Sequence, residues 1–209
     1  MHKDNHFSIW KPLSNRPFKL LWITNVVSLI GTWMHEVGAS WLMTSLTLSP
    51  FMVAMVQTAT TLPFFLFSLP AGAMADTFDR RRLLIFTQIL MLTAASMLGI
   101  ITIFFNISPF ILLVFTFFLS LGASINAPAW QAIIPELVPR KELASAITLG
   151  SVSFNIARVA GPALGGLIVA ALGPGITFLF NAASFSGVLT ALIHWRREPT
   201  VSTLPEERL

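Results

Sequence analysis

Six long apolar runs, separated by breaks that are alternately uncharged and basic, restrict this chain to one kind of fold. The runs cover residues 18–44, 50–74, 83–105, 109–130, 143–172 and 175–195. Each reaches the roughly 20 residues that a helix needs to cross the hydrocarbon core of a bilayer. The breaks at 45–49, 106–108 and 173–174 carry no charge. The remaining segments hold twelve of the thirteen Lys and Arg residues: Lys3, Lys11, Arg16 and Lys19, then Arg80, Arg81 and Arg82, then Arg140 and Lys141, then Arg196, Arg197 and Arg208. Basic loops stay on the cytoplasmic side of a membrane. The alternation therefore predicts an all-α membrane protein of six transmembrane helices, multi-pass in the cell membrane, with both termini cytoplasmic. Residues 1–17 form a cytoplasmic segment, 18–195 the bundle, and 196–209 a second cytoplasmic segment.

Composition agrees. Hydrophobic residues make up 55% of the chain and charged residues 11%, with a mean hydropathy of +0.76, against about 25% charged residues in a soluble domain. The pI of about 10.4 would suit nucleic acid only if the basic residues clustered on one water-facing surface. Here they lie between apolar runs, so the expected partner is the lipid bilayer and not nucleic acid. Cysteine is absent and the four His residues are scattered, so neither a disulfide framework nor a metal site is expected, and no cofactor is implied. The N-terminus lacks the short apolar core and small-residue cleavage site of a signal peptide. Trp22, Trp41 and Trp195 fall near run ends, where indoles favour the headgroup region.

Lipid-facing positions should be uniformly apolar, so a polar stripe on a spanning helix reports a neighbour or a wet cavity. At 100° per residue, Asn25, Ser28, Thr32 and Glu36 share one side of the first helix, and Gln57, Thr60, Thr61 and Ser68 one side of the second. The fifth carries Thr148, Ser151, Asn155 and Arg158, running into Pro162. Shorter stripes are Thr116, Ser120 and Ser124 on the fourth helix and Thr177, Asn181 and Ser184 on the sixth. Isolated Ser and Thr are accounted for by interhelical hydrogen bonds, worth about 0.6 kcal/mol each. The first and fifth stripes end on ionisable residues, which favours a solvated or substrate-lined cavity. Glu36 and Arg158 are the charged residues deep inside spans, at a cost of about 2.5–3.5 kcal/mol each. Their depths, counted along each helix, differ by about 5 Å at 1.5 Å per residue, so they are expected to be able to meet. Asn25, Thr32, Gln57 and Asn155 complete the candidate substrate and proton pathway. His35 points about 100° from Glu36, and a packing or interfacial role is expected for it.

Two further segments stand out. Residues 161–166 read Gly161, Pro162, Ala163, Leu164, Gly165, Gly166. Ala157, Gly161 and Gly165 make a ridge that permits close helix approach, and Pro162 removes a helical hydrogen bond and favours a bend. Between the second and third helices, Gly72 to Arg82 is read as a loop in which Asp79 caps the third helix and the three Arg residues hold the cytoplasmic side. That leaves Asp76, an acid beside an Arg cluster, suited to a charge latch between conformations.

These residues resemble the major facilitator superfamily, and within it the enterobactin-exporter-like branch of drug and siderophore efflux proteins. Gly72, Asp76, Arg80 and Arg81 match the superfamily's Gly-x-x-x-Asp-Arg-x-Gly-Arg-Arg signature, with Thr77 and Asp79 where Arg and Gly stand in it. Gly161, Pro162, Gly165 and Gly166 are similar to the helix-five signature of antiporters, with Thr148 and Ala157 in place of its upstream glycines. The stretches 31–34, 41–44 and 79–84 are similar to the narrower branch. The resemblance implies one half of a 12-helix transporter that rocks around a midplane site, with Gly72, Asp76, Arg80 and Arg81 as a conformational switch. It implies proton-coupled efflux of a small molecule. The partners implied are that substrate, protons, and a missing C-terminal half or a second half-transporter. Residues 196–209 would then begin the cytoplasmic linker of a truncated sequence.

Other classes find less support. No nucleophilic Ser with a base is visible for an intramembrane protease, no filter sequence or pore-lining charged ring for a channel, and no phosphate-binding loop for a nucleotide-driven pump. An enzyme is not expected. The alternative is a non-transporting membrane protein of structural or receptor-like kind, or an inactive fragment.

Overall fold

The computed structural model describes residues 8–195, and every element among them is helical. A short 3-10 turn, Lys11–Ser14, precedes α1 (Arg16–Leu46). There follow α2 (Pro50–Thr77), α3 (Arg80–Phe104) and α4 (Pro109–Leu137), a second 3-10 turn at Arg140–Glu142, then α5 (Leu143–Leu172) and α6 (Pro174–His194). The segment 196–209, expected to begin a linker, lies outside the described residues.

Local chemistry sets the helix starts. Proline occupies the first turn of α1, α2, α4 and α6, where its missing N–H costs nothing and its fixed φ suits the helix. Asp79 accepts the Arg82 N–H at 2.8 Å, the cap read from the sequence, and Ser108 accepts from Ile111. Gly173, at φ +85°, turns the chain between α5 and α6 in a conformation that a side chain would disfavour.

One expectation changes. The segment from Gly72 to Arg82 is mostly helix: α2 runs through Thr77 and α3 begins at Arg80, leaving Phe78 and Asp79 as the connection. A polar helix end reads as a loop when runs are delimited by hydropathy alone. Of the six long helices five, α2 to α6, are long and apolar enough to cross a membrane. Although α1 has 31 residues, it is not in that set. Asn25, Ser28, Thr32, His35 and Glu36 lower its hydropathy, and the helix is wedged between α5 and α6.

The helices associate in the order α5, α1, α6, α3, α4, α2. Exchanging α1, α2 and α3 for α4, α5 and α6 maps this order onto itself: α1 on α5 becomes α4 on α2, α1 on α6 becomes α4 on α3, and α3 on α6 is self-related. Two inverted three-helix units give such a pattern. Close approach comes from small residues. A Cβ on Gly31 would lie 2.8 Å from Ser184 Oγ, and one on Gly165 would lie 2.9 Å from Met34 Cα.

Leu21, Leu84, Ile133, Leu149, Val188 and Leu192 fill the core at the end carrying Arg80 to Arg82, Arg140 and Lys141, called the basic end below. Met43, Leu98, Leu112 and Phe178 fill the opposite end. The outer surface is apolar as well: Phe65, Leu69 and Val159 are 82%, 87% and 77% exposed. So much exposed hydrocarbon calls for lipid around the bundle.

Candidate functional site

Between the two core regions lies a cavity of about 180 Å³, bounded by α1, α2, α3, α4 and α6. Thr32, His35 and Glu36 enter it from α1, Gln57 and Thr60 from α2, Thr116 and Ser120 from α4 and Asn181 from α6, facing Phe64, Met91 and Phe185. The polar stripes of four helices thus converge, because the helical period aligns each stripe on one side. No Lys or Arg lines the cavity, and Glu36, half-buried, forms no ion pair among the described residues. A space of this size with several polar partners has room for water or for part of a small molecule.

Arg158 is elsewhere. It is exposed on α5 together with Thr148, Ser151 and Asn155, on the flank of the buried ridge of Ala157, Gly161 and Gly165. The helices α1 and α5 run parallel. Trp22 Nε1 donates to the Leu149 carbonyl at 3.1 Å, and the Gly161 Cβ position lies 3.1 Å from the Ile30 carbonyl oxygen. This register sets Arg158 level with Ser28 to Ile30, about 10 Å short of Glu36 along the bundle at 1.5 Å per residue. The expected meeting of Glu36 and Arg158 is therefore not found. Depths counted from helix ends miss both the axial offset of α1 against α5 and the face that each side chain takes. Thr32, Glu36 and Gln57 are brought together, whereas Asn155 stays with Arg158 and donates its Nδ2 to the Ser151 carbonyl at 2.9 Å. Asn25 lines a separate small pocket with Trp22, Trp130 and Gly150.

The helix-five motif divides by face. Gly161 and Gly165 press α5 against Trp33 and Met34 of α1, and Gly166 is exposed with open space where a Cβ would be. The helix continues through Pro162, whose missing N–H leaves the Arg158 carbonyl without its intrahelical donor.

At the basic end, Arg80 Nη1 donates to Glu136 Oε1 at 2.9 Å and to the Ala132 carbonyl at 3.2 Å, joining α3 to α4. Arg81 donates to the carbonyls of Leu192 and Ile193, both at 2.8 Å, joining α3 to the end of α6. Cationic donors on the last carbonyls of a helix also complement its dipole. Asp76 is exposed and makes no side-chain hydrogen bond or ion pair among the described residues, and Gly72 has open space around it.

Sequence reasoning missed two features. Glu136, the acid answering Arg80, lies at the basic end of α4, and the nearby Arg cluster was its only signal. Thr87 donates to Asn126 at 3.0 Å and Gln88 reaches the same oxygen at 3.4 Å, linking α3 and α4 through polar residues that no stripe flagged. His35, expected to pack or to sit at an interface, is buried with its ring centroid 4.6 Å from that of Phe178, and neither ring nitrogen has a partner among the described residues.

An outer surface suited to lipid, wrapped around a polar cavity with one carboxylate, defines a multi-pass membrane protein. Comparison with known proteins places it: the chain belongs to the transmembrane secretion effector family of the major facilitator superfamily, matched over residues 7–209. It is 27% identical over 192 residues to a staphyloferrin A transporter of Staphylococcus aureus, covering 90% of this chain and 47% of that protein. It is 24% identical over 151 residues to macrolide efflux protein A of Streptococcus pyogenes, covering 72% and 37% respectively. A further relative is the multidrug efflux pump Tap of Mycolicibacterium fortuitum, 26% identical over 187 residues, covering 87% and 46%. The chain spans less than half the length of these relatives.

Proposed function

We propose that the chain is the N-terminal half of a drug- or siderophore-efflux transporter, driven by protons and working by alternating access against a second six-helix half. The supporting observation is the polar cavity that presents the Glu36 carboxylate without a cationic partner. An intramembrane carboxylate that is neither paired nor turned to lipid is suited to carrying an exchangeable proton. On this reading α1 is the sixth span, the basic end and both termini are cytoplasmic, and Thr32 and Gln57 border the proton and substrate pathway with Glu36. Asp76, with Gly72 at the end of α2, faces the second half and latches one conformation. Arg80 and Arg81 brace the helix ends on which that latch acts.

The test is flux. Everted vesicles carrying this chain joined to a second six-helix half should take up a fluorescent efflux substrate when energised, and lose that uptake when a protonophore is added. Vesicles with the chain alone should show none. Uptake that survives collapse of the proton gradient overturns proton coupling, and no uptake in the joined protein overturns the transporter reading.

A further inference from the structure

We propose that Arg158, with the polar stripe leading to it, forms a binding track for the carboxylate of a small anionic molecule entering from the basic end. The proposal rests on the transporter reading and names the chemistry of its substrate. Arg80 and Arg81 are both hydrogen-bonded within the bundle, whereas Arg158 is exposed and has neither an ion pair nor a side-chain hydrogen bond among the described residues. It lies about 22 Å along α5 from Leu143 at 1.5 Å per residue. That is the middle of a 30-residue helix, and so about the middle of the hydrocarbon core it would cross, too deep for a lipid phosphate to answer it.

The face around Arg158 is built for a polar occupant. Thr148, Ser151 and Asn155 are exposed on the same side of α5, one to two turns apart, and form a line of hydroxyl and amide groups from the basic end up to the guanidinium. Pro162 adds the undonated carbonyl of Arg158, which lipid cannot satisfy but water can. The α1 contact at Ala157, Gly161 and Gly165 does not cover the stripe, since Thr148, Ser151 and Asn155 face away from it and Arg158, on its flank, is exposed. Arg140 and Lys141 are exposed at the foot of the track and raise the local concentration of anions there. A guanidinium fork matches a carboxylate in two parallel hydrogen bonds. Glu36, about 10 Å further along and enclosed by other helices, leaves that position free of competing negative charge.

The chain contains no cysteine, so Ser151→Cys supplies a single reporter thiol two turns from Arg158. Its rate of reaction with an anionic and a cationic methanethiosulfonate is measured in membranes holding the chain, with and without millimolar citrate. An unchanged rate with a neutral maleimide establishes that each variant keeps its fold. We expect Arg158→Gln to lower the anionic-to-cationic rate ratio at least threefold, and Arg158→Lys to retain most of it. Citrate should slow labelling at least twofold with Arg or Lys at position 158 but not with Gln. Equal ratios for Arg and Gln, or no protection by citrate, overturn the proposal. Protection that anionic phosphatidylglycerol reproduces without citrate assigns the site to a lipid headgroup, and also overturns it. So does protection that vanishes once a second half is joined, because Arg158 then pairs with an acid of that half. Labelling needs no flux, so citrate protection in a protein that fails to transport would retain the site while removing the transporter reading.

Discussion

Arg80 and Glu136 hold α3 against α4 through a 2.9 Å charge-assisted bond, and the same guanidinium reaches the Ala132 carbonyl. Both side chains are part-exposed, at 36% and 17%, which weakens the pair relative to a buried one. Arg80→Ala should therefore cost about 1–2 kcal/mol, read as a lower melting temperature of the purified chain in detergent. Arg82, exposed at the helix start, should change stability by less than about 0.5 kcal/mol when replaced by Ala. Equal effects from the two would remove the stabilising role of the pair.

Gly165 and Gly166 are adjacent and face opposite environments. A Cβ at Gly165 meets the backbone of Met34, which cannot swing aside, whereas one at Gly166 meets nothing within 4 Å. Gly165→Ala should separate α1 from α5 and destabilise the chain by about 1–3 kcal/mol. Gly166→Ala should be neutral or stabilising by up to about 1 kcal/mol, the usual helix-propensity gain. Thermal unfolding of the two variants in one detergent decides it, and a neutral Gly165→Ala contradicts the close approach.

These pairs also show what the sequence could and could not convey. The ridge of Ala157, Gly161 and Gly165 was legible because small residues one turn apart permit close packing whatever the partner, and Asp79 was legible because capping is local. Glu136 was not, since a long-range partner for Arg80 has no period or spacing. Gly72, Asp76 and Thr77 were misplaced in a loop because polarity at a helix end looks the same as polarity in a connection. The convergence of Thr32, Glu36 and Gln57 followed from their stripes. The separation of Glu36 from Arg158 depends on helix register, which is fixed by Trp22 on Leu149 and Gly161 against Ile30 and is written in neither helix alone.

The orientation proposed for the bundle is testable by fusion. A phosphatase reporter placed after Arg82 should be inactive and a fluorescent protein at the same site should fold, because on the proposed orientation the arginines keep that segment in the cytoplasm. The same phosphatase placed after Ser108 should be active. An active phosphatase after Arg82 reverses the topology.

His35 sits against Phe178 with both ring nitrogens unpartnered among the described residues, a desolvation cost without a hydrogen bond in return. A purely structural side chain there could be replaced by an apolar one of similar volume with no loss. His35→Leu should leave the melting temperature of the chain unchanged or raise it. A fall of several degrees would instead reveal a hydrogen bond to water or a bound molecule inside the cavity.

Glu36 and Arg158 were expected to act as a pair, and their separation makes a different prediction for the double substitution. Residues about 10 Å apart with no shared partner contribute additively, within about 0.5 kcal/mol. Glu36→Gln combined with Arg158→Gln should thus show the sum of the two single effects on stability, and neither change should rescue the other. Their effects on transport should differ in kind. In the protein joined to a second half, Glu36→Gln removes the one carboxylate of the cavity, so gradient-driven uptake should be lost while abundance is kept. Arg158→Gln keeps that carboxylate and should weaken uptake of a carboxylate-bearing substrate while sparing a neutral one. Normal uptake by Glu36→Gln excludes the carboxylate from coupling. Mutual rescue in the double variant would mean that the two side chains meet in another conformation of the cycle, and that the separation seen here belongs to one state of the bundle.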